Sequence, residues 1–124
     1  MKTKIWLAAL FVALSAQYGA GVAEVQDTLK VNSDSVRLKL ENDQVRVLES
    51  TLPPGSRERM HSHPRYVVYV IKGGTTRVHF PDGKVSEVEL KTGDVIYRDP
   101  VTHWAENTGS DEVSVIMVEL KSSK

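Results

Sequence analysis

The chain has 124 residues, 16 lysines and arginines against 16 acids, four histidines and no cysteine. That length suits one domain with one core, and the lack of cysteine excludes disulfides, thiolate metal sites and a cysteine nucleophile. Balanced charge leaves no basic surplus to neutralise a phosphate backbone, so nucleic acid is not an expected partner.

The N-terminus reads as a secretory leader. Lys2 and Lys4 precede an apolar run, Ile5 to Ala16, and Gly21-Val22-Ala23 forms a small-residue cleavage site before Glu24. The run is about a dozen residues, short of the roughly 20 needed to span a bilayer. Residues 1–23 are therefore expected to be a signal peptide, and the mature protein to be secreted or periplasmic and not attached to a membrane. Without them 14 basic and 16 acidic groups remain, a net charge of −2. Residues 24–34 are polar and read as a linker or loosely attached N-terminal arm.

The folded domain is expected over residues 35–121. Val36, Leu38 and Leu40 alternate with Arg37, Lys39 and Glu41, the mark of a half-buried strand. After Asn42-Asp43, Val45, Val47 and Glu49 continue the pattern on a return strand that ends at Pro53-Pro54-Gly55. Tyr66 to Ile71 is apolar on both faces and reads as a central strand. Gly73-Gly74 turns the chain, Thr75 to Phe80 runs back, and Pro81-Asp82-Gly83-Lys84 is a hairpin turn. Shorter strands follow at Val85–Leu90, Val95–Tyr97, His103–Asn107 and Val113–Leu120. About eight strands, with turns every five to ten residues and no convincing helix, predict an all-β barrel or sandwich.

The chemistry concentrates on histidine. His61 and His63 stand two residues apart, so on a strand both imidazoles point to one face and can chelate one ion. His103 lies downstream on a second strand as a third candidate ligand. Neutral imidazoles suit Zn, Cu, Fe and Ni. Three ligands leave coordination positions open for water or substrate. His79 stands outside this pattern and reads as structural or surface, otherwise as a group behind the ligands or a substitute ligand. Arg57 and Arg59 read as a solvated charge run, Asn107 as a hydrogen-bonding strap, and Glu49 as a weakly supported extra carboxylate ligand.

The spacing Gly55-x5-His61-x-His63-x3-Val67-x6-Gly74 resembles the first cupin motif, G-x5-H-x-H-x3-E-x6-G. Gly93, Pro100 and His103-x3-Asn107 resemble the second, with Pro100 one residue late, His103 one residue early and the internal glycine missing. The resemblance covers roughly residues 36–120. It implies a single-domain cupin-like jelly-roll β-barrel with one divalent metal on His61, His63 and His103. Val67 stands where the family has a glutamate ligand, so the resemblance puts an apolar wall at Val67 beside the metal; Tyr69 and His79 are further substrate-pocket candidates that match no motif position.

A site without the glutamate is similar to those of thiol and β-diketone dioxygenases. Fe(II) is then the implied ion, with Zn, Mn, Ni or Cu as other occupants, and a small organic molecule the implied ligand. Isomerase or lyase activity, a non-catalytic module that binds metal or a small ligand, and a metal-free barrel with relic histidines are the competing readings. A homodimer is a further expectation from the family.

Overall fold

A computed structural model describes residues 26–122, and the leader read at residues 1–23 lies outside the described residues. One short helix, α1 (Thr28–Val31), precedes nine strands. They are β1 (Val36–Glu41), β2 (Val45–Leu52), β3 (His61–His63), β4 (Tyr66–Lys72), β5 (Gly74–His79), β6 (Val85–Leu90), β7 (Val95–Arg98), β8 (Val101–Asn107) and β9 (Val113–Leu120). All named strand pairs are antiparallel. They form a five-stranded sheet in the order β1-β2-β9-β4-β7 and a four-stranded sheet in the order β3-β8-β5-β6. The sheets do not close into a barrel, which corrects that part of the expectation.

The ninth strand arises because the run from His61 to Lys72 is two strands. Pro64 has no N–H to give a ladder, so β3 stops at His63 and β4 begins at Tyr66. The break also resets the alternation. His63 is buried, and three residues on Tyr66 is buried too, followed by Val68 and Val70. An odd-numbered step exchanges the two faces of everything that follows.

The core forms from Val36, Leu48, Tyr66, Val68, Val70 and Met117, with Leu90, Ile96 and Val115 packed against it. On β2 the buried positions are Leu48, Ser50 and Leu52, not Val45, Val47 and Glu49 as the alternation suggested. β1 is an edge strand with a register shift between Leu38 and Leu40, and both leucines are exposed. On the outward side of this sheet, Leu40, Val47, Val118, Val67 and Tyr97 are cross-strand neighbours in register. One apolar row therefore crosses all five strands.

Glycine is needed at several turns, as Gly83 and Gly73 show. Gly83, in the β5–β6 hairpin, has φ 85° and donates to the Phe80 carbonyl at 3.0 Å, a turn conformation that costs glycine little. Gly73 lies against the Leu90 carbonyl, where a Cβ would clash with backbone. Asn107 is the expected strap. Its Nδ2 donates to the carbonyls of Leu52 (2.9 Å) and Asp111 (2.7 Å), and its Oδ1 accepts from Gly109 N–H at 3.0 Å.

Residues 26–34 are docked, not loose. Asp27 caps α1 by accepting from Leu29 N–H at 3.0 Å, Thr28 and Asn32 are buried, and Ser62 N–H donates to the Gln26 carbonyl at 2.8 Å. A four-residue helix is too short to show a 3.6-residue apolar period, and its buried side chains are polar. The period-based reading therefore had no signal for it.

Candidate metal centre

β3 and β8 pair so that His61 stands directly opposite His103. Alternation along β3 then puts His63 on the same face. The three imidazoles offer one ring nitrogen each within 4.8 Å of one another. His61 and His63 are 1% and 4% exposed. The shifted spacing around His103 does not misdirect it, because strand register, and not the preceding turn, sets its aim.

Neighbouring groups select the ring nitrogen that faces inward. His61 Nδ1 lies 2.7 Å from the Arg59 carbonyl. A carbonyl only accepts, so Nδ1 carries the proton and Nε2 is left as the free base. Asn32 Nδ2 lies 3.1 Å from the same Nδ1, and between two donors that approach is packing. Asn32 helps instead by accepting from Arg59 N–H through Oδ1 at 2.7 Å, which fixes the carbonyl that orients the ring.

His63 is held by charge. Its Nδ1 donates to Glu119 Oε2 at 3.1 Å, and Glu119 Oε1 accepts from Arg46 Nε at 2.8 Å. Arg46 then grips Asp27 with both terminal nitrogens, each at 2.7 Å. The chain Asp27–Arg46–Glu119–His63 thus runs from the N-terminal segment to a candidate ligand, and a carboxylate behind a ligating histidine fixes ring orientation and raises ligand basicity. Burial works against the Glu119 charge, but hydrogen bonds from His63 and Arg46 hold its carboxyl below the usual range. The Arg46 hydrogen bonds do the same for Asp27.

Burial pushes the His61 imidazole down to about 4. It pushes His103 down to about 3, with His61, His63 and Arg98 adding repulsion. Both rings are therefore neutral at ordinary pH, the state that ligates. Glu58 joins them. Its Oε2 accepts from Ala105 N–H at 3.0 Å and lies 3.8 Å from His61 Nε2, and burial raises its carboxyl to about 7.

A cavity of about 450 Å³ opens between the two sheets beside the histidines, with Leu52, Val68, Val78, Phe80, Ile96 and Met117 in its wall. This is a size usual for small-molecule sites. The three expected pocket residues are elsewhere. The break at Pro64 turns Val67 and Tyr69 to the outward face of the five-stranded sheet, where Tyr69 is 47% exposed. The inner wall is Val68 and Tyr66, whose ring stacks on His63 at 4.5 Å. His79 lies on the outer face of the four-stranded sheet, stacked on Trp104 at 3.7 Å and paired with Glu106 at 3.0 Å. Glu49 pairs with Arg37 and Ile116 on the outward face and reaches no ligand position.

A cupin-domain family model matches residues 48–119, more than half of the chain. The chain belongs to the cupin family. Among solved structures, this cupin is similar to a cupin domain from Bordetella pertussis Tohama I, at 27% identity and a TM-score of 0.65, covering 70% of this chain and 92% of that one. It also resembles an RmlC-like cupin with a double-stranded β-helix fold from Methanocaldococcus jannaschii, at 18% identity and TM-score 0.56 over 68% and 77%. A protein described as a predicted oxalate decarboxylase from Thermotoga maritima matches at 24% identity and TM-score 0.53 over 70% and 79%. The latter two show the fold alone. No curated protein matches the sequence.

The matched region contains the three histidines, Glu58 and Glu119, but not Asp27 and Asn32, which fix the rings from outside it. The donor set fits a divalent transition metal: neutral imidazoles, two with the other nitrogen already engaged, around one point at the edge of an open cavity.

Proposed function

We propose that this cupin binds one divalent transition metal through His61, His63 and His103 and takes a small organic molecule into the adjoining cavity. Its activity is that of a dioxygenase-type oxidoreductase, with Fe(II) as the working ion. The observation that carries the reading is the convergence of three ring nitrogens at an apolar cavity of about 450 Å³. A divalent ion there supplies a Lewis-acid centre, and Fe(II) adds redox chemistry toward O₂. The chain's own residues do the rest. Val68, Ile96 and Met117 take the carbon-rich part of the ligand and exclude water, Tyr66 holds the His63 ring by stacking, and Glu119 keeps the His63 proton on Nδ1.

Export of the mature chain from about Glu24 belongs to the same reading and rests on the Lys2/Lys4 and Ile5–Ala16 pattern. The apolar outward row through Val67 and Tyr97 supports a homodimer. The test is to express the full chain, recover it from the cell envelope, load it anaerobically with Fe(II), and follow O₂ uptake and products with thiol, diketone and phenolic substrates. The expected result is stoichiometric O₂ consumption, a mass beginning at Glu24 and a dimeric mass in solution. Binding of metal and ligand without any product would instead make the protein a binding module.

A further inference from the structure

We propose that Glu58 is the carboxylate ligand of this metal centre, supplied by the segment before β3 instead of by β4. The inference rests on the three-histidine reading and goes one step past it. On β4 the inward positions are Tyr66, Val68 and Val70, and none of them is a carboxylate. Three neutral imidazoles would leave such an ion with its full charge inside a largely apolar cavity, where an unbalanced charge is costly.

Five other acids are candidates by sequence or position, and one of them, Asp99, lines the cavity but is exposed to solvent. Glu119 is committed to Arg46 and to His63 Nδ1, on the edge of that ring away from Nε2. Asp27 is gripped by both terminal nitrogens of Arg46. Glu49 faces outward, and Glu106 pairs with His79 and Arg77 on the outer face of the four-stranded sheet.

Glu58 is different. It lines the cavity, its side chain is 11% exposed, and among the described residues no lysine or arginine pairs with it. Its Oε2 lies 3.8 Å from His61 Nε2, the nitrogen left free by the Arg59 carbonyl. Ligand atoms around an ion with bonds of about 2.0–2.2 Å stand roughly 3–3.6 Å apart, so Glu58, which lies outside the 4.8 Å cluster of the three ring nitrogens, joins the set by a side-chain movement toward them.

The backbone holds Glu58 ready for this. Glu58 N–H donates to the Ala105 carbonyl at 2.8 Å, and Ala105 N–H donates back to the carboxylate. Ala105 shares the inward face of β8 with His103, two residues away, and its small side chain leaves room for the carboxylate. A buried acid with one amide donor and no cation partner is balanced once a divalent ion sits among the histidines.

Glu58→Gln tests this, because it removes the charge and keeps an oxygen for Ala105 N–H. Metal-free wild type and variant are titrated with Zn²⁺ against a chromophoric chelator, and their Co²⁺ forms are compared by visible absorption. The expected result is Zn²⁺ affinity weakened by about tenfold or more, altered Co²⁺ bands, and an unchanged circular dichroism spectrum. A variant within twofold of wild type, with the same Co²⁺ bands, overturns the assignment and leaves the three-histidine site standing. A wild type that binds no ion overturns both. Independently of any variant, a crystal structure of the zinc-loaded chain should place a Glu58 oxygen at bonding distance, and one beyond about 3 Å contradicts the proposal.

Discussion

Replacing Arg46 with alanine is expected to lower the unfolding free energy by about 3–5 kcal/mol, the usual cost of removing one partner from a buried ion network. Arg46 sits between two carboxylates, and the side chain of one of them, Glu119, is only 3% exposed. Without the guanidinium, Glu119 keeps His63 as its single partner and Asp27 loses both of its terminal-nitrogen contacts. Because Glu119 orients the candidate ligand His63, metal affinity should also fall by about 10–100-fold. Arg46→Lys retains the charge but not the planar fork, so it should recover only part of either loss. Urea unfolding of the metal-free proteins reads the first effect and chelator competition the second. A stability change under about 1 kcal/mol would place the network among surface ion pairs and contradict its description as buried.

The metal-free protein should also lose stability sharply in acid. His61 and His103 titrate near 4 and 3 in the fold and near 6.5 in an unfolded chain. Below pH 6.5 the unfolded state takes up protons that the folded state refuses. Stability from these two groups is therefore complete above pH 6.5 and is lost as pH falls toward 3. By pH 4 the two together cost about 6 kcal/mol.

Glu58 acts in the opposite sense. Its raised value of about 7 means that its charge destabilises the fold above the ordinary carboxylate range. Falling pH then returns roughly 3 kcal/mol between 7 and 4.5. The expectation from these three groups in the metal-free wild type is a loss of about 3 kcal/mol from pH 7 to pH 4, to which the lowered carboxyls of Asp27 and Glu119 add in the same direction. Glu58→Gln has no such compensation, so it should begin more stable at pH 7 and fall more steeply. Unfolding at four or five pH values resolves the two curves, and parallel curves would remove the buried-carboxylate account.

The sequence made the fold class and the His61/His63 pair legible because both rest on short-range regularity. Alternation marks strands, and the i, i+2 spacing of His61 and His63 needs only a strand to become a chelate. His103 was legible as a ligand candidate but not its partner, because cross-strand register appears only when β3 and β8 pair. Pocket assignment failed at one residue. The motif spacing places Val67 beside the histidines, and the strand break at Pro64 moves Tyr66 and Val68 into that position instead.

The groups behind the ligands were missed for a different reason. Arg46 and Glu119 occupy inward positions on β2 and β9, where Leu48 and Met117 continue the buried face. A charge of each sign interrupting an inward row was a usable signal for a buried pair. Asn32 and Asp27 gave no comparable sign, since a polar segment before the first strand has the composition of a linker. Glu58 was hidden inside Arg57-Glu58-Arg59, which reads as a surface charge run. The structure separates it from its neighbours, with Arg57 6.0 Å above Trp104 and Arg59 bonded to the Val31 carbonyl while Glu58 turns inward.

The central claim is that three imidazoles hold one ion. The most direct measurement is elemental analysis of the untagged protein without its leader, after anaerobic loading and dialysis, beside His61→Ala and His103→Ala. The account predicts about one transition-metal ion per chain in the wild type, retained at micromolar protein, and loss in both variants with the fold intact by circular dichroism. Equal metal content in all three, or none in the wild type, would contradict it.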